Sequence, residues 1–369
     1  MKMMHKLATI TFAIFTGATV ADTQSDIVSW VRSKGGSFSD KLEIRKFEPD
    51  NPKSYLGVFT TDDIKAKESL FTIPQSCYIQ VFDTAEDSGN EVEDQETPYY
   101  NNLCKLSHKL MGEMNLGDSS EYAPYIAYLK TQKKGQLPVN WSKAGKDIMR
   151  KIAIPGSPMV DWIDENFKQR NCIGNDLFEE HMVEMTVQRC FDTALIPIWD
   201  MVNHDNGRIN TENDSMYEKE GMKVRAARDL KAGEEIFATY DNCVDCNDVN
   251  YYWGTPEILK DFGFVENYPH RWVFNQGEIW FEVYKDDDDE FEAYFGDEAE
   301  IPNEAQVEFI QKELDRLYVV EETLLDEQGN VPEKEWQIIL GFHEAAVTDI
   351  EVVIEEISSI RSDSTENEL

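Results

Sequence analysis

Ile196-Pro197-Ile198-Trp199-Asp200-Met201-Val202-Asn203-His204 is the stretch on which the reading of this chain turns. Ala194–Trp199 reads as a buried apolar strand, and the chain then delivers two planar polar side chains, Asn203 and His204. Strand exits of this kind gather ligand-binding groups on a rigid scaffold, although such a pair taken alone more often satisfies turn backbone. Further on, Glu235–Tyr240 reads as a strand ending on a tyrosine, whose ring belongs in a core with its hydroxyl at the rim. An internal echo links this region to the N-terminal part. Thr61–Ile73 (TDDIKAKESLFTI) and Ala227–Thr239 (ARDLKAGEEIFAT) align without gaps and share Asp63/Asp229, Lys65/Lys231, Ala66/Ala232, Glu68/Glu234 and Phe71/Phe237. Each reads strand, polar turn, strand, so two halves of one sheet-rich domain are expected to meet.

What separates the halves is helical in pattern. Strand signals at Gly57–Thr61, Ser69–Ile73 and Cys77–Val81 give way to a polar, acidic loop near 84–98. A helical stretch over 100–190 follows, broken near Pro138 and Pro155–Pro158, and Met222–Ala227 is strand-like again. Ser25–Lys34 reads as a short amphipathic helix. Glu278–Glu300 holds eleven acids and one lysine, and like charges at that density predict a solvated segment. Asn303–Leu325 and Pro332–Ile360 then carry apolar residues at helical spacing, so two long helices form a separate C-terminal lobe.

The chain has 369 residues, with 72 acidic against 35 basic side chains and a net charge of −37. At 41% hydrophobic it buries a real core and is not a disordered acidic tail. A pI near 4.4 excludes nucleic acid as a principal partner and argues against an anionic membrane surface; it suits a soluble protein of an acid-rich proteome or lumenal compartment, and any functional meaning of the charge favours a basic partner. Lys2, His5 and Lys6 precede the apolar run Leu7–Val20 and the small residues Thr19-Val20-Ala21, which predicts a signal peptide over 1–21. No later segment approaches 18 uninterrupted apolar residues, so no membrane association is expected of the mature form. Of the six cysteines, Cys243 and Cys246 form a lone C-x-x-C with no further soft ligand beside it. A disulfide or free thiols is the reading there, and no metal site. Asn140-Trp141-Ser142 and Asn213-Asp214-Ser215 are glycosylation sequons. Phosphate-cradling, zinc-protease and nucleophile-elbow motifs are absent.

Taken in order, the pieces resemble the SET-domain methyltransferases, in the branch of the Rubisco large-subunit lysine methyltransferase and the actin-histidine methyltransferase. The likeness rests on Leu56-Gly57-Val58-Phe59, Asp63-Ile64-Lys65, Tyr122-Ala123-Pro124-Tyr125, Pro138-Val139-Asn140-Trp141-Ser142 and Gln188-Arg189-Cys190-Phe191. It continues through Ile196–His204 and Asp229–Tyr240 to Glu257–Val265, covering about residues 54–275. The fold it implies is α+β: a SET-domain β-fold of small sheets over 22–275, with a large helical insertion at about 84–190. An acidic segment at 276–302, a C-terminal mostly helical lobe at 303–360 and a tail at 361–369 complete the expected organisation.

The resemblance further implies S-adenosylmethionine as cofactor, held by the Tyr55–Val58 loop through Leu56 and Gly57 and by Asn203, His204 and Arg189. Tyr240 matches the tyrosine beside the transferring methyl, and Phe191, Asp200 and Phe262 fall on the substrate side, with Asp200 equally able to anchor the strand turn instead. The implied activity is methyl transfer to a lysine of a basic protein. Phe191 favours lysine, whereas Trp199-Asp200-Met201 and Asn206-Gly207 look more like the histidine-directed member. A degenerate SET domain that binds a basic partner without methylating it is the other reading, because Tyr55 stands where the family loop has its first glycine. Phe262 replaces a second family tyrosine, and Asp241 follows Tyr240 where glycine is usual. The signal peptide implies the secretory route, or a plastid reached through a bipartite address.

Overall fold

The computed structural model describes residues 20–366 except 52–53, 82–95, 135–136, 241–252, 287 and 297–300. The expected signal peptide up to residue 19, most of the 84–98 loop, Asp241, Cys243 and Cys246 lie outside the described residues. Helix α1 (Val20–Ser33) leads into β1 (Ser37–Phe38), β2 (Leu42–Lys46), β3 (Leu56–Thr60), β4 (Ser69–Ile73) and β5 (Ile79–Gln80). The helical insertion follows as α2 (Glu96–Leu116), α3 (Ala123–Leu129), α4 (Lys143–Ile152) and α5 (Leu177–Arg189). Short strands return as β6 (Cys190–Phe191), β7 (Ala194–Leu195), β8 (Asn203–His204), β9 (Thr211–Asn213), β10 (Met222–Ala226) and β11 (Phe237–Ala238). Then come α6 (Thr255–Phe262), β12 (His270–Phe274), β13 (Ile279–Lys285), β14 (Phe291–Tyr294), α7 (Glu304–Glu327) and α8 (Glu333–Glu366).

The strands form small sheets: β1-β4-β10-β9, β2-β3 and β5-β7-β6, all antiparallel, and β8 beside β11 in parallel. The sequence echo has a physical meaning here, because the two repeats clasp each other reciprocally. Ile64 and Leu230 exchange backbone hydrogen bonds at 3.1 and 2.9 Å. Asp63 accepts from Ala232 N and pairs with Lys231, while Asp229 accepts from Ala66 N and pairs with Lys65. Each aspartate thus closes the turn of the other repeat, which brings β3 and β4 against β10 and β11 across the insertion. Ile64, Leu70, Phe71, Val224, Leu230 and Ile236 share one buried cluster beneath the clasp.

Two strands are shorter than their apolar runs predict. Only Ala194 and Leu195 pair as β7. Pro197 offers no ladder donor, and Ile198 turns into the left-handed region at φ 70°, starting a tight turn over Trp199–Met201. Asn203 and His204 therefore lie within a strand of their own rather than at the exit of a buried one. Glu235–Tyr240 likewise pairs as a named strand only at Phe237 and Ala238.

The C-terminal part corrects the reading of the acidic segment. Its first part alternates inward apolar residues with Trp280, Glu282 and Tyr284, and that alternation wins over the charge: Ile279, Phe281 and Val283 point into the core of the sheet β12-β13-β14. Trp272 lies opposite Phe281 in the β12–β13 register, so the expected boundary at 275/276 falls inside a hairpin. That hairpin packs with α4, α7 and α8 around a core containing Trp272, Phe281, Trp336, Phe342 and Val353. Glu335 on α8 receives Ser142 N and Ser142 Oγ, and Ser142 in turn caps α4. The first sequon is thus built into this junction, with the Asn140 amide nitrogen buried. Cys104 on α2 and Cys172 form a disulfide that ties the insertion together, while Cys77 and Cys190 are free. Among the described residues no helix is long and apolar enough to cross a membrane.

Candidate active site

The parallel pairing of β8 with β11 sets Asn203 and His204 against Phe237 and Ala238, close to the start of β3. Asn203 Nδ2 donates both to the Leu56 carbonyl at 2.9 Å and to Glu235 Oε1 at 2.7 Å, which leaves Oδ1 as an acceptor with no donor among the described residues. Gly57 is what permits this approach. A Cβ there would come within 2.3 Å of Glu235 Oε1 and 3.0 Å of Asn203 Nδ2. Glu235 is buried, and burial raises its carboxyl, partly countered by the hydrogen bonds from Asn203 and Tyr55. Tyr55 turns its ring outward onto Phe47 and donates its hydroxyl to Glu235 Oε2 at 3.1 Å.

His204 is fixed from both ring nitrogens. Nδ1 accepts the Tyr240 backbone N–H at 2.9 Å, so the proton sits on Nε2 and is donated to Glu266 Oε2 at 2.6 Å. Glu266 also accepts from Asn206 Nδ2 and from Thr255 Oγ1, and both its side chain and that of His204 are essentially inaccessible. The Tyr240 ring sits 5.1 Å from His204 and 4.5 Å from Phe262, with Phe264 completing the aromatic wall. Its hydroxyl donates to the Val202 carbonyl at 2.8 Å. Burial is the main reason its phenol is pushed above the ordinary tyrosine range; the Arg189 charge works the other way.

A second polar group lies close enough for its charges to act on Tyr240. The Asp200 side chain is buried, receives Tyr125 OH at 2.9 Å and Arg189 NH1 at 3.3 Å, and its Oδ1 has no hydrogen-bond partner among the described residues. Burial raises its carboxyl to about 6, against the opposing pull of Arg189. Arg189 is oriented by Gln132 Oε1 at 2.7 Å and by Tyr128 OH at 3.1 Å. A carboxylate oxygen buried without a donor is a position for a ligand's N–H.

The structure thus brings Leu56, Gly57 and Asn203 together, sets His204, Tyr240 and Phe262 in contact, and pairs Arg189 with Asp200. Phe191 makes its ring contact with Trp199, the neighbour of Asp200, rather than with Tyr240 or Phe262. Four residues to which the sequence reading gives no role hold these groups in place: Glu235, Glu266, Tyr125 and Tyr128. The only sequence signal for the two glutamates is an acid embedded among apolar residues, in Gly233-Glu234-Glu235-Ile236-Phe237 and Gly263-Phe264-Val265-Glu266.

The SET domain family model matches residues 56–241, half of the chain. The chain belongs to the SET-domain family. It is 24% identical over 247 residues to the actin-histidine N-methyltransferase of Gallus gallus, covering 58% of this chain and 39% of that protein. It is 22% identical over 280 residues to the N-lysine methyltransferase setd6 of Salmo salar, covering 67% and 58%. This SET-domain chain therefore spans about half the length of the curated relatives it matches. Among solved structures it superposes on Rubisco LSMT bound to sinefungin and monomethyllysine, with TM-score 0.52 at 12% identity over 92% of both chains. A structure of Rubisco LSMT bound to AdoMet gives 0.51 at 11% identity, covering 91% of this chain and 92% of that one. The shared fold extends through the C-terminal helical region.

Proposed function

We propose that this SET-domain chain is an S-adenosylmethionine-dependent protein methyltransferase acting on a lysine side chain. The observation that carries the reading is the convergence of Asn203, His204 and Tyr240, each held by buried partners, beside the partnerless Asp200 Oδ1. The residues fit the cofactor. The Leu56–Gly57 backbone, the Oδ1 of Asn203 and the Arg189 side would receive a zwitterionic nucleoside, which supplies an electrophilic methyl when bound.

This chain's own residues then do the positioning. The Tyr240 hydrogen is engaged by Val202 O, so the phenol lone pairs are free to face an acceptor amine and to take weak C–H···O contacts. Asp200, ionised above about pH 6, offers its free oxygen to the incoming ammonium. The amine must shed its proton before it attacks, and a desolvated channel lowers its pKa. In-line displacement requires alignment more than acid–base strength, which suits a site of fixed dipoles and rings. The half-exposed Tyr55 ring, turned onto Phe47, supports the catalytic reading over a non-catalytic binding module.

Lysine rather than histidine as acceptor rests on Phe191 and on the lysine-directed relative; the actin-histidine relative supports the other choice. A basic substrate is the partner proposed from the charge of −37. The test is transfer of labelled methyl groups from S-adenosylmethionine to a mixture of basic proteins, followed by amino-acid analysis. Methyllysine is the expected product, with labelling that falls as salt rises. Methylhistidine would reassign the acceptor, and no labelling together with no binding of S-adenosylhomocysteine at millimolar concentration would overturn the activity.

The compartment we propose is an oxidising one on the secretory route. The Cys104–Cys172 disulfide supports it, since such bonds are rare in cytosolic proteins. A non-reducing peptide map of the native protein is expected to contain the cross-linked pair; free thiols at both positions would contradict the proposal.

A further inference from the structure

Where the family loop carries its first glycine, this chain carries Tyr55, and the side chain is neither buried nor loose. It sits at the mouth of the β2–β3 hairpin, where Phe47 N donates to Tyr55 O at 3.0 Å. The two rings stack at 5.2 Å with planes 14° apart, each about half exposed (Phe47 51%, Tyr55 49%). Stacking restricts the ring and so holds the hydroxyl where it meets Glu235 Oε2 at 3.1 Å. The other carboxylate oxygen of Glu235 receives Asn203 Nδ2 at 2.7 Å, and Asn203 also reaches Leu56 O. Both amide hydrogens are consumed, so Asn203 Oδ1, which accepts no hydrogen bond among the described residues, is held as an oriented acceptor.

From this linkage we infer that Tyr55 is a positioning residue for the cofactor site, acting through Glu235 to fix the amide of Asn203. The proposal rests on the methyltransferase reading and adds to it a residue at which this chain departs from the loop it resembles. Three features agree with it. A carboxylate that accepts from two donors keeps one rotamer, whereas one that accepts from Asn203 alone is free to swing. The Tyr55 phenol, raised to about 12 by burial and by the Glu235 charge, stays a donor throughout the working range. Gly57, bare of a side chain, leaves the room in which Glu235 meets Asn203, since a Cβ there would come within 2.3 Å of Glu235 Oε1. The ring itself is directed onto Phe47, so it does not need to leave for the loop backbone to be approached.

The experiment compares wild type with Tyr55→Phe and Tyr55→Gly, measuring the affinity for S-adenosylhomocysteine, the cofactor KM and kcat of methyl transfer, and thermal stability. Tyr55→Phe keeps the stack and loses only the hydroxyl. It is expected to raise the cofactor KM and the S-adenosylhomocysteine Kd about five- to tenfold, with kcat and Tm nearly unchanged. Tyr55→Gly, which also loses the stack, is expected to be weaker still. A merely structural role would lower Tm without splitting KM from kcat. Wild-type affinity in Tyr55→Phe would overturn the proposal, and tighter binding by Tyr55→Gly would overturn it by showing that the side chain obstructs the loop. If wild type binds no S-adenosylhomocysteine but Tyr55→Gly does, Tyr55 is again an obstruction. If neither binds, it is the methyltransferase reading that fails, and the inference falls with it.

Discussion

Tyr240→Phe is expected to lower kcat of methyl transfer by about 10²-fold or more while leaving S-adenosylhomocysteine affinity within about twofold, a loss of the size seen when one preorganised polar contact is removed from a reacting centre. The ring of Tyr240 is held by packing that phenylalanine keeps: His204 at 5.1 Å, Phe262 at 4.5 Å, and a backbone N–H donated to His204 Nδ1. Only the hydroxyl goes. Its hydrogen is committed to Val202 O, so what the reaction loses is a pair of oriented lone pairs on a ring fixed in place. The Val202 carbonyl is left without its donor, which costs about 1–3 kcal/mol of stability. A Tm measurement and a cofactor Kd on the same preparation separate that loss from the catalytic one. A variant retaining more than about a tenth of wild-type kcat would remove Tyr240 from the transfer step, since one lost polar contact of this kind is worth at least that factor.

Much of this site is legible in the sequence because its parts lie on short segments with strong local signals. The echo between Thr61–Ile73 and Ala227–Thr239 announces two matched strand–turn–strand units, and the structure explains the shared aspartates by the reciprocal clasp. Asn203-His204 and Tyr240 stand out as polar groups next to apolar runs. The supports do not stand out, because their meaning is tertiary. Glu266 lies 62 residues from His204, and Glu235 lies 32 from Asn203, so no local period connects them. The acidic segment was legible in principle. Ile279, Phe281 and Val283 alternate with Trp280, Glu282 and Tyr284, the period of a half-buried strand, and counting charges hides it. The outward Glu282 is paired with Arg271 across the hairpin, which relieves part of the repulsion that the count implies. Ala194–Trp199 errs in the opposite sense: six apolar residues look like a strand, but Pro197 stops the ladder and the turn that follows is what aims Asp200.

Asp349→Ala is expected to destabilise the protein by about 3–5 kcal/mol, the cost of breaking a buried ion pair from one side. Asp349 on α8 is fully buried and accepts from His270 Nδ1 at 2.7 Å, Trp272 Nε1 at 2.6 Å and Tyr268 OH at 3.0 Å. The other nitrogen of His270 meets the Glu266 carbonyl at 3.0 Å. A carboxylate and a carbonyl can only accept, so both ring nitrogens donate and the imidazole is held as a cation. Burial by itself would depress the His270 pKa, but the hydrogen bond and charge of Asp349 outweigh it and leave the pKa raised above 6.5. The stabilisation is therefore complete below about pH 6.5 and is lost as pH rises through the folded-state value. Thermal unfolding of wild type should show Tm falling with pH across that window, and Asp349→Asn, which keeps the shape and one acceptor, should flatten the dependence with a smaller loss at low pH. The effect reaches the catalytic side through Glu266, whose backbone is held by His270 while its carboxylate holds His204. Asp349→Ala should accordingly weaken S-adenosylhomocysteine binding at a temperature where the variant is still folded. A Tm within about 1 °C of wild type at pH 6, or a wild-type Tm that is flat from pH 6 to 9, would mean that the pair does not carry the charge assigned to it, since a loss of this size moves Tm by several degrees.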